Sequence, residues 1–231
     1  MTNLSRNHTG STSTDELSVW LRDGWKVMLR HFPALALIAL VADLPLALIG
    51  RANEDINAGF LATLVMISTI AVITPLAKAT AIVAIHKWEL GQTGAVLAAF
   101  GALVRNFHAL LAASILWLIA VFVGTGLLIF PGIIVLMLGQ CLMGAIIIER
   151  RSIKDAIRRS RTLVQPRFWS VLALFAIVQA AAGIASGFVE AAAGSVISGL
   201  PLDIITRTLT SPIAFAPLAM MFLRTSHPSS Q

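Results

Sequence analysis

Four polar side chains lie inside long apolar stretches, where polar groups are costly and therefore informative. They are Asp43, Lys78, Gln140 and Gln179. At 1.5 Å per residue along helices that enter the bilayer from one side, Asp43 and Lys78 reach a similar depth of roughly 13–16 Å. The two glutamines reach a similar level, so a polar cluster with an Asp43–Lys78 pair is predicted at mid-membrane. Such a cluster indicates either a path for a proton, an ion or a solute, or structural interhelical hydrogen bonds.

A second group of candidate residues is a run of cations between two apolar stretches. On a helical wheel most of these cations occupy one face of residues 152–165, while apolar residues such as Ile157 and Leu163 occupy the other. Ser152 and Asp155 are spaced as a capping box at the start of this helix. The pattern predicts a helix that lies flat in the membrane interface, with its apolar face among acyl chains. The cations are Arg150, Arg151, Lys154, Arg158, Arg159, Arg161 and Arg167.

Two interpretations of this basic segment remain open. Cations beside spanning helices can serve purely as a topological anchor. Alternatively, they bind an anionic lipid head group or a protein partner selectively, since each cation near an anionic surface contributes roughly 1 kcal/mol. Residues 14–31 repeat the amphipathic pattern, so a second interfacial helix is predicted there, and a third is predicted at 94–106.

Signals of an enzyme or of a metal site are missing from the sequence. The five histidines are scattered without i, i+4 pairing or nearby carboxylates. Cys141 is the single cysteine, which leaves no disulfide and no cysteine-based metal site. No nucleophile with a neighbouring base and no phosphate-binding or dinucleotide-binding loop is visible. The sequence therefore predicts a protein that is not an enzyme and has no cofactor.

The composition of the chain indicates that the apolar stretches around these polar residues lie in a membrane. Hydrophobic residues make up 57% of the 231-residue chain and charged residues 12%, and the mean hydropathy is +0.86. Lipid must therefore be the main solvent, which predicts an all-α polytopic membrane helix bundle. The net charge of +6 is spread over segments that flank apolar stretches, so nucleic acid is not a predicted partner. A single membrane domain is predicted at 13–224, between a disordered tail at 1–12 and a second tail at 225–231.

Six apolar stretches are about long enough to cross a bilayer core of about 30 Å. Lys and Arg concentrate at one end of these stretches, and only Arg51 and Arg207 fall at the other. By the positive-inside rule, both termini are predicted to be cytoplasmic. The predicted spans are 33–50, 58–86, 108–127, 131–148, 168–189 and 203–223.

A weak internal repeat accompanies the spans. The segments that enter the first, third and fifth spans each end in a phenylalanine, at Phe32, Phe107 and Phe168. The pattern predicts three repeated units, each an amphipathic helix followed by a two-helix hairpin. Alternatively, the likeness reflects only the basic and aromatic residues that anchor any cytoplasmic membrane entry.

The segment from Gly144 to Val171 resembles the signature of a bacterial family. Its sequence is G-A-I-I-I-E-R-R-S-I-K-D-A-I-R-R-S-R-T-L-V-Q-P-R-F-W-S-V. It is similar to the glycerophosphoryl diester phosphodiesterase membrane domain, which occurs both fused to a phosphodiesterase barrel and as stand-alone proteins. The residues that carry the resemblance are Glu149, Asp155-Ala156, Arg159-Ser160, Leu163 and Arg167-Phe168-Trp169.

The resemblance implies a stand-alone six-helix protein of the bacterial inner membrane with cytoplasmic amphipathic entries. The catalytic barrel of the fused proteins has no counterpart in this sequence, so no phosphodiesterase activity and no catalytic residue is carried over. Glu149, next to Arg150 and Arg151, is expected to cap or clamp the basic helix as a structural residue.

The leading functional hypothesis is a non-enzymatic membrane protein that binds anionic lipid or a partner through basic amphipathic helices and contributes to membrane organisation. The alternative is a small transporter or permease subunit that uses the mid-membrane polar cluster as its path. Gly183 and Gly187 form a G-x-x-x-G motif, which suits close helix packing within the monomer or between copies. A homo-oligomer, or an unidentified membrane protein partner, is therefore an open expectation.

Overall fold

The computed structural model describes residues 13–55, 60–127, 129–194 and 199–226. Within these ranges the backbone is helical with short turns and contains no strand. A 3₁₀ turn at Gln165–Arg167 joins the seventh helix to the eighth. The helices are α1 (Ser13–Arg30), α2 (Phe32–Asp55), α3 (Phe60–Glu89), α4 (Ala95–Arg105), α5 (Phe107–Leu127), α6 (Ile129–Ile147), α7 (Ile153–Val164), α8 (Phe168–Ala193) and α9 (Leu200–Ser226).

Several helices begin where the sequence predicts. Phe32, Phe107 and Phe168 are the first residues of α2, α5 and α8. The hydroxyl oxygen of Ser152 accepts a hydrogen bond from the backbone N–H of Asp155 at 3.3 Å, which satisfies one of the free donors at the start of α7. The predicted all-helical fold class and the predicted cap of α7 are therefore confirmed.

Within the described ranges, only some of the six predicted spans are matched by a segment that is long and apolar enough to cross a membrane. Three segments in the described part of the chain are long and apolar enough: Phe107–Gly126, Ile153–Ala193 and Pro201–Ser226. Helices α1 and α2 supply a fourth if Thr14–Arg30 and Phe32–Pro45, which are bent by 87°, count as one span. The described part of the chain therefore has three to four candidate spans, and the six crossings and the threefold repeat stay predictions.

The protein core centres on the C-terminal half of α9. Every residue from Phe215 to Leu223 is buried, and α1, α2, α3 and α8 all pack against this helix. α1 comes so close that a Cβ atom on Gly24 would lie 2.5 Å from the Cα atom of Pro217. Only glycine allows the two backbones to approach this closely, so Gly24 marks the point at which α1 crosses α9.

The apolar face of α7 packs on protein, which corrects the prediction that it lies among acyl chains. Ala156, Leu163 and Val164 are buried in the core. The hydroxyl of Ser160 is also buried and donates a hydrogen bond to the backbone carbonyl of Leu138 in α6. The prediction was wrong because an amphipathic pattern indicates that a face is buried, without indicating whether lipid or protein covers it.

Large apolar side chains project outward from α5 and α8. Ile119 and Phe122 are exposed on α5, and Ile184 and Phe188 are exposed on α8. Outward apolar faces of this kind are expected where helices face acyl chains, because lipid tails are as apolar as the side chains. A Cβ atom added to Gly183 or to Gly187 of α8 would meet no atom within 4 Å, so no other described helix packs on the predicted G-x-x-x-G motif.

Some predictions concern residues outside the described ranges. The N-terminal tail at 1–12, most of the C-terminal tail and residues 58 and 59 of the second predicted span lie there. At the C-terminal end, Thr225 and Ser226 belong to α9, so the helix extends beyond the predicted boundary of the membrane domain.

Candidate functional site

Ion pairs join several helices at one end of the bundle. Arg224 of α9 lies 3.2 Å from a carboxylate oxygen of Asp23 in α1 and 3.6 Å from one of Glu89 in α3. Arg167, just before α8, lies 2.9 Å from Glu16 of α1. We call this region, formed by α1, α4, α7 and the C-terminal ends of α3, α6 and α9, the basic end.

Glu149, between α6 and α7, binds two of the cations at the basic end. It accepts hydrogen bonds from Nε of Arg159 at 3.1 and 3.2 Å and from Nε of Arg151. Arg159 also donates to the backbone carbonyl of Ser226 in α9 at 3.4 Å. Burial alone would raise the pKa of Glu149, but the hydrogen bonds and charges of the two arginines outweigh it and lower that pKa below its ordinary value. Glu149 therefore clamps α7 to α6 and α9, as expected.

The seven predicted lipid-binding cations fall into two groups. Those paired with carboxylates of the protein are Arg151, Arg159 and Arg167. Those that are exposed and form no ion pair with any described residue are Arg150, Lys154, Arg158 and Arg161. Arg161 donates only to the neutral amide of Gln165, at 3.3 Å. The outward face of α7 therefore carries positive charge that no described side chain compensates.

Three of the four predicted intramembrane polar residues, Asp43, Gln140 and Gln179, lie around the fourth, Lys78. Its ammonium group donates a hydrogen bond to Oε1 of Gln140 in α6 at 3.3 Å. On another side, Lys78 lines a cavity of about 240 Å³ together with Asp43 of α2 and Gln179 of α8. The structure thus brings together residues from α2, α3, α6 and α8 that the sequence placed at one depth.

The predicted ion pair between Asp43 and Lys78 does not form. Asp43 instead accepts a hydrogen bond from the hydroxyl of Ser211 in α9 at 3.0 Å, and the hydrogen-bond partner of Lys78 is the neutral Gln140. The prediction was wrong because depth along a helix does not fix the direction in which a side chain points. An acidic and a basic side chain therefore border one cavity without a direct ion pair between them.

Sequence reasoning missed the contribution of α9 to this cavity. Arg207, Thr210 and Ser211 line it, and Arg207 also pairs with Asp203 at 2.8 Å. Asp203, Arg207 and Ser211 are four residues apart, and this spacing places them on one side of a helix. The polar spacing was therefore a signal that α9 carries a polar face, part of which lines the cavity.

Neither a metal site nor a known family accounts for these arrangements. Within the described ranges, no group of three or more His, Cys, Asp and Glu side chains could hold a metal ion. The resemblance to the glycerophosphoryl diester phosphodiesterase membrane domain stays a prediction, because no family model, no curated protein and no solved structure matches the chain.

Proposed function

We propose that the chain is a non-enzymatic protein of a bacterial inner membrane whose basic end faces the cytoplasm and binds anionic lipid head groups. The three to four candidate spans support the membrane location. The concentration of cations at one end supports the cytoplasmic orientation through the positive-inside rule. Six crossings would bring both termini to that side, in keeping with the resemblance to the glycerophosphoryl diester phosphodiesterase membrane domain.

The observation that carries this proposal is the outward face of α7. Lys154, Arg158 and Arg161 are exposed there, and their spacing of four and three residues puts them in one strip along the helix. Ile157, which is 43% exposed, lies beside the strip and can enter lipid between head groups. Each cation near an anionic surface contributes about 1 kcal/mol, so the strip favours anionic lipid by about 3 kcal/mol.

Protein contacts hold this strip in position. The Arg159–Glu149 pair and the buried Ser160 fasten α7 to α6. A topological anchor needs positive charge but no fixed arrangement of that charge. The strip, by contrast, is presented at a fixed spacing, which favours binding of a head group over a general anchoring role.

The test compares two triple variants by native mass spectrometry of the protein extracted with its surrounding lipids. In the first, Lys154, Arg158 and Arg161 are replaced by Gln. In the control, Arg22, Lys26 and Arg30, which are exposed on α1, are replaced by Gln. We expect the α7 variant to lose about a hundredfold in affinity for anionic lipid and the control to lose less, because Arg22 already lies 3.6 Å from a carboxylate oxygen of Asp23.

Two results would contradict the proposal. Equal loss in both variants would mean that any cation at the basic end serves, which makes α7 an anchor. Retention of the same lipids by both variants and the wild type would show that head-group charge is not recognised. Added salt provides a further check, because it should weaken lipid binding to the exposed strip.

A second candidate function, solute or proton transport, is favoured by the cavity at Lys78. Asp43, Gln179 and Arg207 line the same space of about 240 Å³, at the depth where ionisable groups are most costly. A water-filled path would offset that cost, because it hydrates the charges that the protein leaves without a direct ion pair.

Proton flux into proteoliposomes that contain a pH-sensitive dye tests this second function. If the cavity is a path, the wild type conducts protons above empty liposomes, and Asp43→Asn and Lys78→Met reduce the flux about tenfold or more. The control is Glu190→Gln, which removes an exposed carboxylate of α8 that neither lines the cavity nor pairs with a residue that lines it. Flux no greater than that of empty liposomes, or equal flux in all variants, would exclude proton conduction through the cavity.

A further inference from the structure

A separate cavity of about 510 Å³ opens at the basic end, between the ends of α3, α4 and α6. Its apolar lining includes Val83 and Ile147. Each of these three regions contributes one cation to the lining: Lys87 from α3, Arg105 from α4 and Arg150 from the segment after α6. The size lies within the usual range of small-molecule sites, about 300–1,000 Å³.

The charge of this cavity is not compensated by the protein. Lys87, Arg105 and Arg150 form no ion pair with any described carboxylate, and no Asp or Glu lines the space. Lys87 donates only to the neutral amide of Gln92, at 2.9 Å. Like charges that border one cavity repel each other, so an anion bound there would be strongly favoured.

The backbone at Arg150 is an independent sign of a built site. Its φ is 50°, in the left-handed region that usually requires glycine after a helix end. The next residue, Arg151, donates its N–H to the carbonyl of Ala145 at 3.2 Å, which closes α6. Glycine would fit this turn with less strain, and strained positions of this kind concentrate at ligand sites. The arginine therefore occupies a costly position in which its side chain lines the cavity.

We infer that this cavity binds the phosphate ester of an anionic phospholipid. Arginine guanidinium groups match phosphate oxygens in pairs and lysine adds a point charge, so three cations suit a phosphomonoester with its charge of about −2. The apolar residues beside them can cover the glycerol and upper acyl carbons. Basic pockets between helices on the cytoplasmic side are where such head groups bind. The inference rests on the proposed cytoplasmic placement of the basic end, but not on the strip of α7.

The test measures binding of phosphatidic acid to the full chain in detergent, with phosphatidylcholine, whose zwitterionic head group has no net charge, as the control. We expect Arg105→Gln and Arg150→Gly each to weaken binding of phosphatidic acid about tenfold to a hundredfold, because each removes a charge-assisted hydrogen bond. Arg150→Gly is the sharper variant, since glycine suits the left-handed backbone and the variant should fold at least as well as the wild type.

The outcomes separate this inference from the proposed function. Unchanged phosphatidic acid binding in both cavity variants overturns the cavity site, even if the α7 variant loses lipid. Loss in the cavity variants with none in the triple variant of Lys154, Arg158 and Arg161 supports the cavity and overturns the strip. If inorganic phosphate binds the detergent-solubilised protein as tightly as phosphatidic acid does, the ligand is free phosphate and not a lipid, and the inference is overturned.

Discussion

In water-soluble proteins the more apolar helix is usually the more buried one. Helices α8 and α9 show the reverse. The most apolar stretch of Ile153–Ala193 has a mean hydropathy of 2.0 and is 17% buried, whereas that of Pro201–Ser226 has a mean hydropathy of 1.2 and is 56% buried. Lipid accepts apolar side chains as readily as a protein core does. The more apolar of the two helices is therefore the more exposed one, as expected of a helix that faces lipid, and the less apolar helix is the central one.

The polar groups of α9 explain its central place. The hydroxyl of Thr210 accepts a hydrogen bond from the hydroxyl of Ser186 in α8 at 3.4 Å, and Ser211 donates to Asp43 of α2 at 3.0 Å. In lipid such groups would lack partners outside their own helix. A helix with polar side chains is therefore most stable where other helices surround it, and the comparison of α8 with α9 can be tested residue by residue.

The largest expected effect is the loss of one aromatic ring from the core. Phe222 of α9 is 0% exposed and packs beside Gly144 of α6, whereas Phe188 of α8 is 73% exposed. We expect Phe222→Ala to lower the free energy of unfolding by about 3 kcal/mol through lost packing, and Phe188→Ala to change it by less than about 0.5 kcal/mol. Equilibrium unfolding in mixed micelles measures both, and equal losses would break the comparison.

A smaller effect is expected from two neighbouring arginines of α7. Arg159→Gln should lower the free energy of unfolding by about 1–3 kcal/mol, because Glu149, only 12% exposed in its side chain, loses a charged partner. Arg158→Gln should change it by less than about 0.5 kcal/mol, because that side chain is exposed. The same unfolding measurement distinguishes them, and a larger loss for Arg158 would mean that α7 is oriented otherwise.

The pH dependence of these variants sharpens the second prediction. The pKa of Glu149 is lower in the folded protein than its ordinary value. Its contribution to stability is therefore complete above the ordinary pKa of Glu, about 4.3, and is lost as the pH falls from there through the lowered pKa. Arg159→Gln should reduce this acid-dependent loss, and Arg158→Gln should leave it as in the wild type.

Two hydroxyl groups of α7, one buried and one exposed, should show the same difference in stability with a smaller effect. Ser160 is buried and bonded to α6, whereas Thr162 is exposed and bonded only within α7, to the carbonyl of Arg159. We expect Ser160→Ala to lower the free energy of unfolding by about 0.6 kcal/mol, typical of interhelical hydrogen bonds in membrane proteins. Thr162→Ala should have almost no effect, because water replaces the lost hydroxyl. A reversed order in the unfolding measurement would count against the packing of α7 on α6.

The smallest expected effect is a pH dependence at the bend between α1 and α2. His31 stacks on Trp88 with ring centroids 4.2 Å apart, and burial followed by the charge of Arg30 lowers the pKa of His31. A histidine whose pKa is lower in the folded state contributes stability above its unfolded pKa, about 6.5, and loses it as the pH falls further. The unfolding free energy should therefore decline below about pH 6.5, and His31→Phe should lessen the decline. An unchanged slope in that variant would exclude His31 as the cause.

The sequence was sufficient for the helices and for the grouping of the four polar residues, because both depend on distances along the chain. The lengths of the apolar stretches and the positions of Phe32, Phe107 and Phe168 predicted where the long helices lie. Residue counts along these helices predicted that Asp43 and Lys78 lie at the same level. The partners of those side chains depend on the rotation of each helix about its axis, which a single sequence does not determine. For the same reason Arg158 and Arg159 look alike in the sequence, although one is exposed and the other is paired with Glu149.

The contact between α1 and α9 has a consequence for biosynthesis. Asp23 and Arg224, which are hydrogen-bonded at 3.2 Å, are 201 residues apart in the chain. At about 5–20 residues per second, roughly 10–40 s separate the synthesis of the two partners. During that interval Trp20 and Met28 of α1, buried in the finished protein, cannot yet pack on α9. The contacts between α1 and α9 can therefore form only after α9 has been synthesised.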